Sequence, residues 1–277
     1  MSKYAVLGNP VSHSKSPLIH SMFAQQTDQT MSYVAIPLEK NEFEAFVRKF
    51  FAEGGAGLNV TVPFKGNAFV LAASCSPRAE LAQAVNTLFL DDNGRICGDN
   101  TDGVGLVSDL KLNNKVAISG QRVLILGAGG AVRGIMAALV YEKAAAITIV
   151  NRDVPKAKLL AEEMQSMAPI EVMSYAMLQE DANNGRSYDL IINGTSSSLK
   201  GEMPKLDAKV IAPGCCCYDL MYSATDTLFL QWAKQEGARK SIDGLGMLVE
   251  QAAEAFALWR GVRPNTATVM AHLREQF

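Results

Sequence analysis

Short apolar runs alternate with helical patterns along nearly the whole chain. Residues 4–7 form an apolar run that Gly8-Asn9-Pro10 closes, and residues 122–126 form another. A run without polar alternation is typical of a parallel strand that is buried on both faces. In residues 42–51 the apolar positions recur every three or four residues, which predicts an amphipathic helix. Strands that alternate with helices predict an α/β fold with largely parallel sheets.

The remaining elements follow from the same periodicities and from turn residues. A helix is expected to start at Ser16-Pro17, with Ser16 as its N-cap and Pro17 at the first helical position. Residues 87–90 and 95–98, joined by an Asp-Asp-Asn-Gly turn, predict a hairpin. Further strands are predicted at residues 32–37, 58–62, 146–150, 171–173, 190–192 and 215–220, and further helices at residues 102–112, 155–167, 227–235, 245–259 and 266–276.

The order of the elements predicts two α/β domains. One series of strands and helices precedes residues 103–120 and a second series follows them, and residues 113–120 are polar, as in a linker. A length of 277 residues agrees with two domains, since a domain averages roughly 150 residues. Ligands of such folds bind beyond the carboxyl ends of the strands, so the residues that follow strands are the candidate site residues.

Composition narrows the class of protein. The chain has 26 Lys and Arg against 28 Asp and Glu, a net charge of −2, and 48% hydrophobic residues. This balance excludes a disordered chain and argues against a nucleic-acid surface. We find no signal peptide and no run of the ~20 apolar residues that a membrane span needs. Five cysteines, three of them adjacent, suit a buried strand in a reducing compartment better than disulfides or a metal site. A soluble cytoplasmic protein without a bound metal is therefore expected.

A glycine-rich turn follows the predicted strand of residues 122–126. It consists of Gly127, Ala128, Gly129, Gly130 and Ala131, and a predicted helix comes directly after it. Glycines at such a turn let the backbone approach a pyrophosphate, and the helix N-terminus supplies free N–H groups. The match to G-x-G-x-x-G is imperfect, because valine occupies the last position of the motif. The pattern predicts a dinucleotide site, and a plain tight turn is the alternative.

The end of the next strand indicates which dinucleotide binds. A protein that uses NAD usually has Asp or Glu here for the ribose 2′-hydroxyl, whereas this chain has Asn151 and Arg152. A guanidinium pairs with a 2′-phosphate, and Lys156 adds a further positive charge. Asp153 has the opposite charge and weakens the argument. We therefore expect NADP as the cofactor, with a solvated Arg152 as the alternative.

Polar residues also cluster at three predicted strand ends in the first half of the chain. The clusters are residues 12–16, residues 59–65, and Asn86-Thr87 followed by residues 98–103. Asn59 and Thr61 alternate with apolar residues, so they share one face of a strand. Such a polar face either meets solvent or lines a site.

Taken together, these motifs resemble the shikimate dehydrogenase family. They occur in the family's order along the whole chain: Gly8-Asn9-Pro10, His13-Ser14-Lys15-Ser16-Pro17, Asn59-Val60-Thr61-Val62-Pro63-Phe64-Lys65, Ala84-Val85-Asn86-Thr87, Gly98-Asp99-Asn100-Thr101-Asp102-Gly103 and Asp243-Gly244-Leu245-Gly246-Met247-Leu248. The resemblance implies a discontinuous substrate-binding catalytic domain, residues 1–102 plus 240–277, with a mostly parallel sheet. It also implies a Rossmann-like NADP-binding domain, residues 103–239, and a cleft between the two domains.

The resemblance further implies a reaction and its residues. The reaction is the NADPH-dependent, reversible reduction of 3-dehydroshikimate to shikimate, in chorismate and aromatic amino acid biosynthesis. Lys65 and Asp102 would be the catalytic pair, and a Lys ammonium is suited to donate the proton that a ketone oxygen needs. The alternative for this pair is a surface salt bridge. Ser14 and Ser16 would hold the shikimate carboxylate beside Tyr222. The ring-hydroxyl partners would be Asn59, Thr61, Asn86 and Gln251, and the residues that line the nicotinamide would be Thr195, Ser196, Leu220 and Gly244.

Two other functions remain open at this point. One is a quinate/shikimate dehydrogenase with NAD or dual cofactor use, which an acidic residue in place of Asn151 or Arg152 would favour. The other is a catalytically silent NADP-binding module, which loss of Lys65 or Asp102 would indicate. A small-molecule substrate is the expected partner, and the protein is expected to be a monomer or a homodimer.

Overall fold

Two six-stranded sheets organise the chain, one in each of two structural units. The structure is a computed structural model, and it describes residues 1–164, 167–195, 197 and 201–276. The first unit comprises Met1–Gly105 and Leu248–Gln276, and the second unit comprises Leu106–Met247. The expected two-domain α/β fold is confirmed. Residues 240–247, which were predicted in the substrate-binding domain, lie in the second unit, and residues 103–105, which were predicted in the NADP-binding domain, lie in the first.

The first unit has a mixed sheet with the strand order β2-β1-β3-β5-β6-β4. Its strands are β1 (Ser2–Gly8), β2 (Met31–Pro37), β3 (Gly55–Val60), β4 (Ser74–Cys75), β5 (Thr87–Leu90) and β6 (Ile96–Asp99). β5 runs antiparallel to β3 and to β6, and the other neighbouring strands are parallel. The helices that contribute to this unit are α1 (Ser16–Gln26), α2 (Phe43–Ala52), α3 (Lys65–Leu71), α4 (Pro77–Ala82), α5 (Asp102–Ser108), α10 (Leu245–Arg260) and α11 (Thr266–Glu275).

The start of α1 differs from the prediction. Ser16 is the first helical residue and Lys15 is the N-cap, whose side chain makes no capping hydrogen bond. The Oγ of Ser14, two residues earlier, accepts a hydrogen bond from the backbone N–H of Ser16 at 3.2 Å. The predictions of Ser16 as N-cap and of Pro17 as the first helical residue are therefore wrong by one residue, because Ser16 is already helical and the Ser14 hydroxyl accepts its N–H.

Trp259 of α10 lies against β3 and holds the returning helix on the sheet. Its Nε1 donates to the Leu88 carbonyl at 3.2 Å, and its ring is 4.8 Å from the ring of Tyr4. A Cβ built at Gly57 would lie 2.4 Å from Trp259 Nε1. The strand therefore needs glycine at this position because the indole packs directly on its backbone.

This contact leads to a stability prediction. We expect Gly57→Ala to lower the free energy of unfolding by about 1–3 kcal/mol, the usual cost of overpacking. The control is Gly66→Ala, because a Cβ there meets nothing within 4 Å in the helix α3. That variant should be neutral or slightly more stable, since alanine favours helices over glycine. Urea denaturation of both variants measures the difference, and equal stabilities would contradict the packing argument.

The second unit has an entirely parallel sheet with the strand order β12-β11-β10-β7-β8-β9. Its strands are β7 (Arg122–Leu126), β8 (Ala146–Val150), β9 (Ile170–Met173), β10 (Tyr188–Asn193), β11 (Ile211–Asp219) and β12 (Lys240–Ile242). The helices that follow its strands are α6 (Gly130–Tyr141), α7 (Val154–Met164), α8 (Tyr175–Asn183) and α9 (Leu228–Gln235). The strand order reverses between β7 and β10, which is where such sheets bind dinucleotides. The cysteines at 215–217 lie buried in β11, as expected.

The helix predicted at residues 102–112 changes its winding part of the way along. α5 ends at Ser108, and Asp109–Asn113 form one π-helical turn. The buried Asp109 carboxylate accepts hydrogen bonds from the Tyr218 hydroxyl at 2.7 Å and from the Asn113 side chain at 2.9 Å.

None of the helices in the described ranges is long and apolar enough to cross a membrane.

Candidate active site

A Lys–Asp pair lies at the helix starts of the first unit. Lys65 is the first residue of α3 and Asp102 is the first residue of α5. Lys65 Nζ donates to Asp102 Oδ2 at 2.5 Å, and the two side chains are 17% and 7% exposed. The second carboxylate oxygen, Oδ1, accepts from Asn86 Nδ2 at 2.8 Å. Since both oxygens are engaged and the pair is largely buried, it differs from a solvated surface ion pair.

Asn86 connects this pair to the surrounding polar residues. Its Nδ2 donates to Thr101 Oγ1 at 2.9 Å, and its Oδ1 accepts from the backbone N–H of Thr101 at 2.9 Å. Gln251 Oε1 lies 3.3 Å from Thr101 Oγ1 and 3.4 Å from Asn86 Nδ2. The first unit therefore brings Lys65, Asp102, Asn86 and Gln251 together, although Gln251 is far away in sequence.

Asn59 supports the wall of this cluster from β3. Its Nδ2 donates to the Asn86 carbonyl at 3.2 Å and to Thr87 Oγ1 at 3.1 Å. Its Oδ1 accepts from the Tyr33 hydroxyl at 2.7 Å. Both amide hydrogens of Asn59 are thus engaged within the protein. Thr61 follows β3 directly, beside Gly8.

The aromatic residues beside Asn59 form an uncharged wall. His20 is fully buried and stacks on Tyr33 with ring centroids 4.2 Å apart. Burial lowers the pKa of His20 to about 3, and burial also raises the pKa of Tyr33 well above its usual value. Both rings are therefore neutral at physiological pH. His20 is unsuited to proton transfer there, and Lys65 stays the better candidate.

The serines and Tyr222 occupy different parts of the fold. Ser14 lies in the turn before α1, and Ser16 is buried at the helix start in the first unit. Tyr222 follows β11 in the second unit, where burial and the charge of Asp243 raise its pKa. Ser16 lies beside Tyr33 and is hydrogen-bonded to it. This hydrogen bond lowers the pKa of Tyr33 and so opposes the larger increase that burial causes.

The glycine turn of the second unit has the geometry of an anion cradle. It joins β7 to α6, which begins at Gly130 with Gly129 as an N-cap that supplies no side-chain hydrogen bond. Gly127 has a φ of +103°, which glycine adopts without strain. A Cβ at Gly129 or Gly130 would meet nothing within 4 Å. Open space in front of uncapped N–H groups fits the pyrophosphate of a dinucleotide. Ala128 and Ala131 complete the turn.

An exchange of side-chain size explains the irregular motif. Val132 occupies the position where the dinucleotide motif usually has glycine, and it is fully buried. A Cβ at Gly194, after β10, would lie 2.2 Å from the Val132 Cγ2 atom. The space that the motif's glycine usually leaves is provided here by Gly194. The valine is therefore compatible with the dinucleotide turn.

The residues after β8 present positive charge. Arg152 and Lys156 are exposed, and the Arg152 guanidinium makes no ion pair with any residue in the described ranges. Asn151 Nδ2 donates to the Asp153 carbonyl at 2.8 Å. The Asp153 carboxylate accepts from the Lys156 backbone N–H at 3.2 Å, as a cap of α7. Because Asp153 has this capping role, its charge argues less strongly against a phosphate at Arg152.

The residues expected near a nicotinamide gather at the ends of β10 and β11. Thr195 Oγ1 donates to Asn193 Oδ1 at 2.8 Å, and the Leu220 N–H donates to the Asn193 carbonyl at 2.9 Å. Gly244 lies against Leu220, since a Cβ there would be 2.3 Å from the Leu220 carbonyl oxygen. Ser196 was also predicted here, and it lies outside the described residues.

Sequence reasoning missed three participants of the first-unit cluster. Tyr33 and Thr87 contact Asn59, and Thr101 contacts Asn86 and Gln251. Thr87 and Thr101 stand inside the polar clusters at residues 86–87 and 98–103, so their positions were usable signals. Tyr33 gave none, because an aromatic residue in a strand is ordinarily a packing residue.

The chain combines two features: a parallel-sheet unit with an open glycine turn, and a unit with a buried Lys–Asp pair. This combination defines a dinucleotide-dependent dehydrogenase. Three family models match: the shikimate dehydrogenase substrate binding domain at residues 6–88, shikimate / quinate 5-dehydrogenase at residues 110–201, and the shikimate 5'-dehydrogenase C-terminal domain at residues 244–274. The chain belongs to the shikimate dehydrogenase family, as the sequence motifs predicted.

Individual relatives agree along the full length. Shikimate dehydrogenase (NADP(+)) of Hahella chejuensis is 54% identical over 275 residues, and that of Alkalilimnicola ehrlichii is 50% identical over 274 residues, with 99% of each chain covered. Among solved structures, the Ael1 enzyme of Pseudomonas putida is 44% identical with a TM-score of 0.91, covering 99% of this chain and 98% of that one. The Thermus thermophilus shikimate 5-dehydrogenase in complex with NADP(H) and shikimate is 30% identical with a TM-score of 0.87 over 100% of both chains.

Proposed function

We propose that the protein catalyses the NADPH-dependent, reversible reduction of 3-dehydroshikimate to shikimate. The observation that carries this proposal is the Lys65–Asp102 ion pair, 2.5 Å long and surrounded by the amides of Asn86 and Gln251, in a chain of this family. A silent NADP-binding module would not need a buried ammonium with both oxygens of its partner engaged. The product would enter chorismate and aromatic amino acid biosynthesis.

The first unit supplies the proton for this reduction. NADPH, when bound, supplies the hydride that adds to the carbonyl carbon. Lys65 Nζ donates a proton to the carbonyl oxygen, so that hydride and proton together complete the two-electron reduction to an alcohol. Asp102 holds the ammonium in place through Oδ2, and Asn86 holds Asp102 through Oδ1. In the reverse direction Lys65 accepts the proton.

The polar cluster supplies specificity for a hydroxylated ring. We assign the side chains of Asn86, Gln251, Thr61 and Asn59 to the ring hydroxyls. A site built from such groups discriminates strongly against an analogue without the hydroxyl, because the protein groups would then stay unpaired. We assign the hydroxyls of Ser14 and Ser16 to the carboxylate of the substrate, together with Tyr222.

The second unit would hold NADP through the glycine turn and the basic residues after β8. Gly127 to Ala131 would face the pyrophosphate, and Asn151, Arg152 and Lys156 would face the 2′-phosphate. The exposed guanidinium without an ion pair among the described residues supports this assignment for Arg152. We assign Thr195, Leu220 and Gly244 to the lining of the nicotinamide site.

The assignment of Arg152 gives a prediction on cofactor choice. We expect Arg152→Ala to raise the KM for NADP about 10- to 100-fold, the value of a charge-assisted hydrogen bond, and to leave the KM for NAD nearly unchanged. Lys158→Ala is the matched control, since Lys158 is an exposed cation two residues after Lys156 in α7. An equal loss with both cofactors would refute the contact between Arg152 and the phosphate.

The function itself is tested with a matrix of substrates and cofactors. The purified full chain is offered shikimate or quinate with NADP or NAD, and the reduced nicotinamide is followed by its absorbance. Turnover with shikimate and NADP that far exceeds the other three combinations is the expected result. Comparable turnover with quinate or NAD would indicate a quinate/shikimate dehydrogenase, and no turnover in any combination would indicate a silent module.

The proposed function also includes a cellular compartment and an oligomeric state. We infer a reducing compartment, the cytoplasm, and this is supported by five cysteines that are all free thiols, four of them buried. We propose a monomer or a homodimer as the active form.

A further inference from the structure

Arg78 joins the end of β6, three residues before Asp102, to α10, which carries Gln251. It lies in α4, and its guanidinium binds Asp99 with two hydrogen bonds, from Nε to Oδ1 at 2.7 Å and from Nη2 to Oδ2 at 2.6 Å. The same Nη2 reaches Glu254 Oε1 in α10 at 3.1 Å. Asp99 ends β6 and is 4% exposed. Arg78 therefore bridges the end of β6 and the helix α10.

The Asp99 end of this bridge leads to Asp102. Asp99 Oδ1 accepts the backbone N–H of Asn100 at 2.7 Å. Asn100 Oδ1 in turn accepts the backbone N–H of Asp102 at 3.1 Å, and Asn100 Nδ2 donates to the Ala84 carbonyl at 2.9 Å. The backbone that carries the Asp102 carboxylate is thus held by side chains that Asp99 organises.

Asp99 is a charged partner for Arg78. Burial opposes the ionisation of Asp99, but hydrogen bonds from Arg78 and from the Ser76 hydroxyl outweigh this effect and hold its pKa below the usual value. Removal of the guanidinium would leave a buried carboxylate without its cation. Such a group either becomes protonated or draws in water, and both changes disturb the turn that it organises.

The Glu254 end of the bridge leads to Gln251. The two residues are three positions apart in α10, so they lie on neighbouring parts of one helix face. Arg263 holds the other oxygen of Glu254 at 2.7 Å and also binds Glu250 at 3.0 Å. These contacts hold α10 about one helical turn from Gln251, whose Oε1 lies 3.3 Å from Thr101 Oγ1.

We propose that Arg78 is a positioning residue, which sets the distance between Asp102 and Gln251 and so determines how tightly the hydroxylated substrate is held. This inference rests on the proposed function. The planar fork of arginine is required for the role, since only it can hold both oxygens of Asp99 and still reach Glu254. Lysine provides one point charge and keeps only part of the arrangement.

The test is a kinetic comparison of full-length variants, each assayed against shikimate and against NADP. We expect Arg78→Met to raise the KM for shikimate at least about tenfold and to lower kcat about tenfold, with the KM for NADP unchanged. Arg78→Lys should recover part of the loss. Arg48→Met is the matched control, because Arg48 pairs with Glu44 on the exposed face of α2 in the same unit, and it should match the unaltered protein.

A second variant covers the case in which Arg78→Met does not fold. Glu254→Gln keeps the size of the side chain and the Arg78–Asp99 pair, and it should raise the KM for shikimate several-fold without changing the KM for NADP. Unaltered shikimate kinetics in Arg78→Met or, if that variant does not fold, in Glu254→Gln would overturn the inference, as would equal losses for both substrates. If the unaltered protein does not oxidise shikimate, the proposed function fails, and this inference fails with it.

Discussion

Replacement of Lys65 by methionine is expected to lower kcat by at least about 100-fold and to leave the KM for shikimate within a few-fold of its original value. Methionine has a similar length but donates no proton, and general acid–base catalysis by a positioned side chain contributes about 10²–10⁴-fold. A fall in kcat with little change in KM is the signature of an interaction made chiefly in the transition state. Steady-state oxidation of shikimate by NADP measures both constants.

The control for this variant is Lys49→Met. Lys49 is an exposed lysine of α2 in the same unit, with only a 3.8 Å ion pair to Glu53, so its loss should change neither constant. Near-normal turnover of Lys65→Met would remove Lys65 from the mechanism, whatever its effect on stability.

Replacement of Asp102 by asparagine is expected to lower kcat/KM about 100-fold, with contributions from both constants. The ammonium of Lys65 would lose the charge that holds it at 2.5 Å in a largely buried position. Asn86 would also face a partner that offers one oxygen and one NH₂ group in place of two acceptors. Loss of one partner of a partly buried ion pair is costly because the other charge stays behind without compensation.

A matched acid separates this effect from a general loss of charge. Glu44→Gln removes a carboxylate from the exposed pair with Arg48 and should leave kcat/KM unchanged. If Asp102→Asn retains most of its activity, the negative charge of Asp102 is not needed to orient Lys65. The hydrogen bonds that asparagine can still make would then be sufficient for catalysis.

The central strands of the second unit are predicted well from the sequence. β7 and β8 have the predicted bounds, because both are mostly apolar runs, which are typical of a parallel strand buried on two faces. The hairpin of β5 and β6 also follows from its turn residues and is confirmed. A strand or hairpin can be predicted from the sequence where its own residues show the apolar run or the turn that defines it.

Short helices and long-range contacts are less accessible to sequence reasoning. α3 and α4 have seven and six residues, too few to repeat a helical period, and neither was predicted. The contacts of Arg78 with Asp99 and Glu254 join three elements that are distant along the chain. The fit between Val132 and Gly194 likewise depends on the start of α6 and the end of β10, which meet only in the folded unit. Such pairs have no signature in a single sequence.

The proposed reaction is hydride transfer from NADPH to the ketone of 3-dehydroshikimate, with Lys65 supplying the proton. The most direct measurement incubates the full chain with 3-dehydroshikimate and NADPH that carries two deuterium atoms at C4 of the nicotinamide, and analyses the product by mass spectrometry and NMR. We expect shikimate with one deuterium on the carbon that bears the new hydroxyl, and only traces of this product with Lys65→Met. Absence of shikimate, or shikimate without deuterium at that carbon, would contradict the proposed reaction.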